Sequence, residues 1–160
     1  MDKLRKSLDE AVEASGLTDG MAISFHHHLR SGDFVLNQVL EAVERAGIRD
    51  LTVRASAVFN VHAPLIEAMR RGVVTGLECS YMDARIGRAI TQGVLERPVI
   101  FRSHGGRASA IESGETPVDV AFLAAPASDP MGNCSGKYGP SACGSLGYAF
   151  ADASHARRVV

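Results

Sequence analysis

Short apolar runs alternate with helix-length segments along almost the whole chain, and this alternation limits the fold more than any other feature. Met21 to Phe25, Leu51 to Ala55, Val73 to Glu78, Pro98 to Arg102 and Val118 to Ala124 each read as a buried strand bounded by turn residues, and Leu146 to Ala151 reads as another. Helical spacing recurs between them. Leu4, Leu8, Ala11 and Val12 lead to a stop at Gly16, and Val35, Leu36, Val39, Leu40 and Val43 follow a capping Asp33 and end at Gly47. Leu65, Ile66 and Met69 follow Pro64, placed as a first helical residue, and Ile86 and Ile90 lie one turn apart within Asp83 to Ile90. Parallel strands need crossovers of this length, so the expected fold class is α/β: a mostly parallel sheet flanked by helices in a Rossmann-like three-layer domain. A chain of 160 residues suits one such core, and residues 1–160 are expected to form a single α/β domain. At Arg157 to Val160 a helical turn reads as passing into a new strand, so a fragment of something longer is expected.

Several function classes lose support from composition. The 17 Lys and Arg against 18 Asp and Glu leave a net charge of −1, with no bulk cationic field for nucleic acid or an anionic membrane. Trp is absent and aromatics are 6%, so platforms for stacking bases are scarce. No apolar run approaches the ~20 residues that span a bilayer, and Met1 to Glu10 is charged and amphipathic rather than a leader, so a cytoplasmic protein is expected. Cys79, Cys134 and Cys143 form an odd set without close pairs and read as reduced thiols.

In open parallel sheets ligands bind beyond the carboxyl ends of the strands, which makes the residues after each strand the informative ones. After the first strand stand His26, His27, His28 and Arg30, ahead of a helix N-terminus, a suitable arrangement for a carboxylate or phosphate. A loop with one His packed and another exposed is the plainer reading. Adjacent histidines of an extended segment face opposite ways, so only His26 and His28 are able to share a metal, and no Cys or carboxylate stands beside them at motif spacing. No metal site is expected. A second place is Arg102, Ser103, His104, Gly105, Gly106 and Arg107, where two glycines permit close backbone approach and the side chains offer donors; a flexible turn is the alternative. Gly-rich phosphate motifs are missing, so ATP and dinucleotide readings lose support. Third comes the loop with Asp129 and Gly132-Asn133, which either presents amides to a substrate or closes on itself as a turn. Last, Ser145 lacks the flanking glycines of a nucleophile elbow.

These blocks together resemble the citrate lyase alpha-subunit family, within the CoA-transferase superfamily. The resemblance rests on Asp19 to Arg30, on Asn60-Val61-His62-Ala63-Pro64-Leu65-Ile66, on Pro98 to Ala108 with its Ser-His-Gly-Gly-Arg run, on Val118 to Pro126, and on Cys143 to Ala149. It covers nearly the whole chain. It implies a CoA-transferase-like fold in which this chain is the first half of a two-domain transferase. It also implies an activity: acetyl-carrier protein and citrate exchange to citryl-carrier protein and acetate. Where ordinary members carry a Gly-Gly pair for the thioester oxyanion, His26 and His27 stand here, which marks them as the catalytic candidates. Asp119-x-Ala121 with Asp129 and Gly132-Asn133 matches the superfamily's second hallmark. His28, Arg30, Ser103, His104, Gly105, Gly106, Arg107, Asp129 and Asn133 are the candidate substrate-binding residues.

The same resemblance implies a CoA-like phosphoribosyl-dephospho-CoA group carried by a separate acyl carrier subunit, with no tightly bound cofactor on this chain. It implies a further lyase subunit as partner and acyl exchange through a mixed anhydride without a glutamyl thioester. Homo-oligomerisation stays open. Three rivals remain: a transferase for another acid such as citramalate, a non-catalytic assembly module, and a His-rich metal-binding domain.

Overall fold

A computed structural model of the chain describes residues 3–26 and 30–160, with Arg30 described by its backbone alone. Its elements run α1 Leu8–Ser15, β1 Ala22–His26, α2 Val35–Arg45, β2 Leu51–Ala55, α3 Leu65–Arg70, β3 Val74–Cys79, α4 Ala84–Thr91, β4 Ile100–Phe101, α5 His104–Glu112, β5 Val120–Leu123, β6 Ala127–Ser128, β7 Cys134–Ser135, α6 Ala149–His155 and β8 Arg158–Val159. Short 3-10 turns at Arg30–Gly32 and Asn60–His62 lie beyond β1 and β2.

Local chemistry accounts for the helix ends. Ser7 caps α1 by accepting from the Glu10 amide, and Gly16 closes it in the left-handed conformation, φ 68°, where a Cβ would be strained. Asp83 and Ser103 cap α4 and α5 in the same way. Pro64 stands one position outside α3, as its cap.

The six-stranded sheet has the order β4-β3-β2-β1-β5-β8, and every pair is parallel. The α/β expectation is met. Strands β6 and β7 form a separate antiparallel pair in the loop after β5. From β1 the chain steps outward to β4 in one direction, then crosses back to place β5 on the other side of β1. The β1/β5 boundary is therefore the topological switch point.

Helices α1 to α4 pack in sequence over one face, where Ile23, Phe25, Leu51, Val53 and Leu77 meet Val12, Leu36, Val39, Leu65 and Ile86. Phe25 and Phe122 stack across neighbouring strands at 5.7 Å. On the opposite face lie α5 and α6, whose apolar contribution is smaller: Ala108, Ile111 and Ala151 against Val118 and Ala121.

Two readings of the sequence need correction here. Leu146 to Ala151 is not a strand: Ala149 to His155 is helical, with Ala149 and Asp152 buried one turn apart and Phe150 exposed. A short apolar run fits either state, and the loop residues Gly144 and Gly147 at positive φ leave it free to wind. The segment after Arg102 is not a flexible turn but the start of a nine-residue helix.

Candidate functional site

His26 is the last residue of β1 and pairs in register with Leu123, the last of β5, which puts it at the switch point. Side chains alternate along a strand, so His26 shares the face of Ser24, under α5 and α6. It is buried. His27 and His28 lie outside the described residues, as does the side chain of Arg30. The segment that leads into α2 packs against a buried support. Asp33 Oδ1 accepts from the Val35 amide to start α2, while the Asp33 carbonyl lies 3.0 Å from Nε2 of the fully buried His62. Nδ1 of His62 accepts from the Phe59 amide at 3.0 Å. That donor leaves Nδ1 without a proton, so Nε2 carries the hydrogen and donates to Asp33: a neutral imidazole pinning the segment after β1 to the segment after β2.

The second cluster is the first turn of α5. Ser103 Oγ accepts from the Gly106 amide at 3.0 Å and the Ser103 carbonyl from the Arg107 amide at 2.8 Å. No acceptor among the described residues meets the amides of His104 and Gly105, and both residues are exposed. They therefore point two free donors outward at the positive end of the helix dipole. His104 also lies beside Tyr148, with ring centroids 6.2 Å apart.

Beneath α5 the sheet face is charged rather than apolar. Ser24, Arg54 and Glu78 stand in one register row across β1, β2 and β3. Glu78, 3% exposed, accepts from Arg102 Nε at 2.7 Å and lies 3.6 Å from Arg54 Nε. Arg102 also reaches Glu115 at 2.8 Å, and these two carboxylates hold its guanidinium above its ordinary pKa. Burial instead lowers the pKa of Arg54, against the attraction of Glu78.

Arg107 requires a correction. Expected as a ligand donor, it is 2% exposed, and its Nη1 and Nη2 donate to the two oxygens of Asp152 at 2.9 and 2.6 Å. Asp152, fully buried, also accepts from Ser24 Oγ. Arg107 thus locks α5 to α6 and to β1, and its charge is spent inside the protein.

The loop after β5 also closes on itself. Asp129 accepts from the amides of Met131 and Asn133 and from Asn133 Nδ2 at 2.8 Å, and the Asn133 contacts hold its carboxyl below the usual range. Both side chains are satisfied by each other. That favours the turn over a donor pair aimed at substrate. Among the described residues no group of three or more His, Cys, Asp or Glu is placed to hold a metal.

The sequence expectations therefore separate. Ser103, His104, Gly105 and Gly106 form one helix start, on the same side of the sheet as His26, while Asp129 and Asn133 belong to a hairpin and Arg107 to a buried pair. Arg54, Glu78 and Asp152 went unnoticed. The signal for Arg54 and Glu78 was a charged residue inside a strand that otherwise reads as largely apolar; Asp152, on α6, had none. Such an assembly suits a carboxylate or a developing oxyanion: main-chain donors that need no proton, set on a rigid helix.

The profile of the citrate lyase alpha subunit (CitF) family matches residues 1–160. The citrate lyase alpha chain of Escherichia coli is 45% identical over 158 residues, covering 99% of this chain and 31% of that one. A solved structure described as the alpha subunit of citrate lyase in complex with citrate, from Streptococcus mutans, superposes with TM-score 0.96 at 50% identity, over 99% of this chain and 31% of that one. RipA from Yersinia pestis, at 19% identity and TM-score 0.66 over 96% of this chain and 35% of that one, shares the fold. This chain spans about a third of the length of the curated relatives it matches.

Proposed function

Because the chain belongs to the citrate lyase alpha-subunit family, we propose that it supplies the strand-end part of a site that exchanges the acyl group of a carrier thioester, turning acetyl-carrier and citrate into citryl-carrier and acetate. The observation that carries this reading is the placement of the free His104 and Gly105 amides on the sheet face that His26 shares at the switch point. The relative crystallised with citrate supports the choice of acid.

One citrate carboxylate attacks the acetyl thioester carbonyl and the carrier thiolate leaves, giving a mixed anhydride. The thiolate then attacks the citryl carbonyl of that anhydride and acetate departs. No side-chain nucleophile is consumed, and the buried carboxylates Glu78 and Asp152 are each committed to arginines. His26 and His27 are assigned as oxyanion donors. His28, Arg30 and the Ser103 to Gly106 turn offset the negative charge of the acid, which would otherwise repel the developing oxyanion. The thioester donor is a phosphoribosyl-dephospho-CoA group on a separate acyl carrier subunit, and a lyase subunit cleaves the citryl product. A cytoplasmic location fits the exposed free thiols of Cys134 and Cys143, which persist in a reducing compartment.

The test follows citryl-CoA formation from acetyl-CoA and citrate, for the 160-residue chain beside a polypeptide of the relatives' full length, each with and without His27→Ala. Turnover by the longer form, falling about 10²- to 10³-fold on substitution, is the expected result for loss of an oxyanion donor. Absence of transfer to citrate in both forms would overturn it.

A further inference from the structure

Away from the strand ends, helices α3 and α4 enclose a groove of about 770 Å³ on the outer surface of the protein. Four arginines line it: Arg70 and Arg71 from the end of α3, Arg85 and Arg88 from α4. Glu41 and Glu67 also line it, which leaves the groove two positive charges in excess, in a chain whose net charge is −1. Arg70 pairs with Glu67, and Arg71 with Glu44. Arg85 and Arg88, three residues apart on one helix face and both exposed, have no carboxylate partner among the described residues. Pro64, Ile66 and Ala89 supply an apolar floor.

Two exposed arginines without a carboxylate partner, beside an apolar floor, offer charge and apolar contact together, which suits an amphipathic acidic segment. One end of the groove opens at Ala63 and Pro64, directly after the 3-10 turn beyond β2, at the carboxyl end of the sheet. A partner seated there lies toward the carboxyl ends of the strands, the end of the sheet that holds His26.

We propose that this groove docks an acidic helix of the protein that carries the thioester, with Arg85 and Arg88 as its principal contacts. The proposal rests on the transferase reading above and adds the surface that recognises the donor's protein part. It predicts that recognition of the carrier separates from recognition of the thioester, because the groove lies outside the strand-end site.

The experiment compares a polypeptide of the relatives' full length with its R85E/R88E variant, both substitutions being at exposed helix positions away from the core. Binding of the acetylated acyl carrier subunit is measured by calorimetry at low and high salt, and transfer to citrate is followed with the acetylated carrier and with free acetyl-CoA. The variant is expected to bind the carrier about tenfold or more weakly, with a reduced salt dependence, while KM and kcat with acetyl-CoA stay within twofold. Carrier affinity within twofold of the parent would overturn the proposal, as would a groove that binds a short DNA duplex and not the carrier. Failure of the parent to transfer from either donor sinks the transferase reading instead, so the two failures are distinguishable.

Discussion

Gly105 and Gly106 are neighbours in the first turn of α5, yet a methyl group meets different surroundings at each. A Cβ on Gly106 would lie 2.9 Å from Ser103 Oγ, the atom that caps the helix, whereas one on Gly105 meets nothing within 4 Å. G106A is therefore expected to lose about 1 kcal/mol with the cap, and G105A to hold or gain stability, as chemical denaturation would show. The cysteines divide as sharply. Burial pushes the Cys79 thiol from 9.0 up to about 12, while Cys134 and Cys143 are exposed. Two thiols of three should react with a disulfide reagent in the native protein, the third only on unfolding. Below pH 9.0 both folded and unfolded chains keep the Cys79 proton. Above it the unfolded chain releases a proton the folded one retains, so stability should fall as pH rises from 9.0 towards 12. The glycine pair was visible in the sequence, but as a loop. Two consecutive glycines have low helix propensity, and only the Ser103 cap with the apolar residues beyond it makes the turn helical.

At the level of elements, α5 and α6 are joined to the sheet by charge more than by apolar area. Removing one member of the Arg107–Asp152 pair leaves an uncompensated buried charge, so D152A is expected to cost about 3–5 kcal/mol in urea unfolding. The double variant R107L/D152L should cost less than the sum of its single changes, since neither charge is then stranded. This element pair was the least legible part of the fold. Asp152 lies 45 residues from Arg107 and 128 from Ser24, separations at which no periodicity operates. Arg107 accordingly read as a donor to a ligand, and the run around Ala149 as a strand. Helices α1 to α4 were legible because each carries a stop or cap in its own sequence: Gly16, Asp33, Gly47, Pro64, Gly72, Asp83.

Across the whole molecule the sheet is strong at its centre and slight at its margins. β1 is buried along its length between β2 and β5, while β4 and β8 contribute two residues each, with Ile100, Phe101 and Val159 exposed. Amide exchange should be slowest in β1, β2 and β5 and fast in β4 and β8; equal protection at the margins would contradict this gradient. The sequence by itself determined the α/β class, the succession of β1 to β5 along the chain and the first four helices, because those signals are local: a two-residue or 3.6-residue period and the turn chemistry at its ends. It also placed the histidines and the Ser-His-Gly-Gly run at strand ends. Only the tertiary structure decided which donors remain free. Hydrogen bonding is exclusive: both Nη atoms of Arg107 are committed to Asp152, and Asp129 and Asn133 bond to each other, while the amides of His104 and Gly105 are left for a ligand because helix geometry gives the first turn no acceptor.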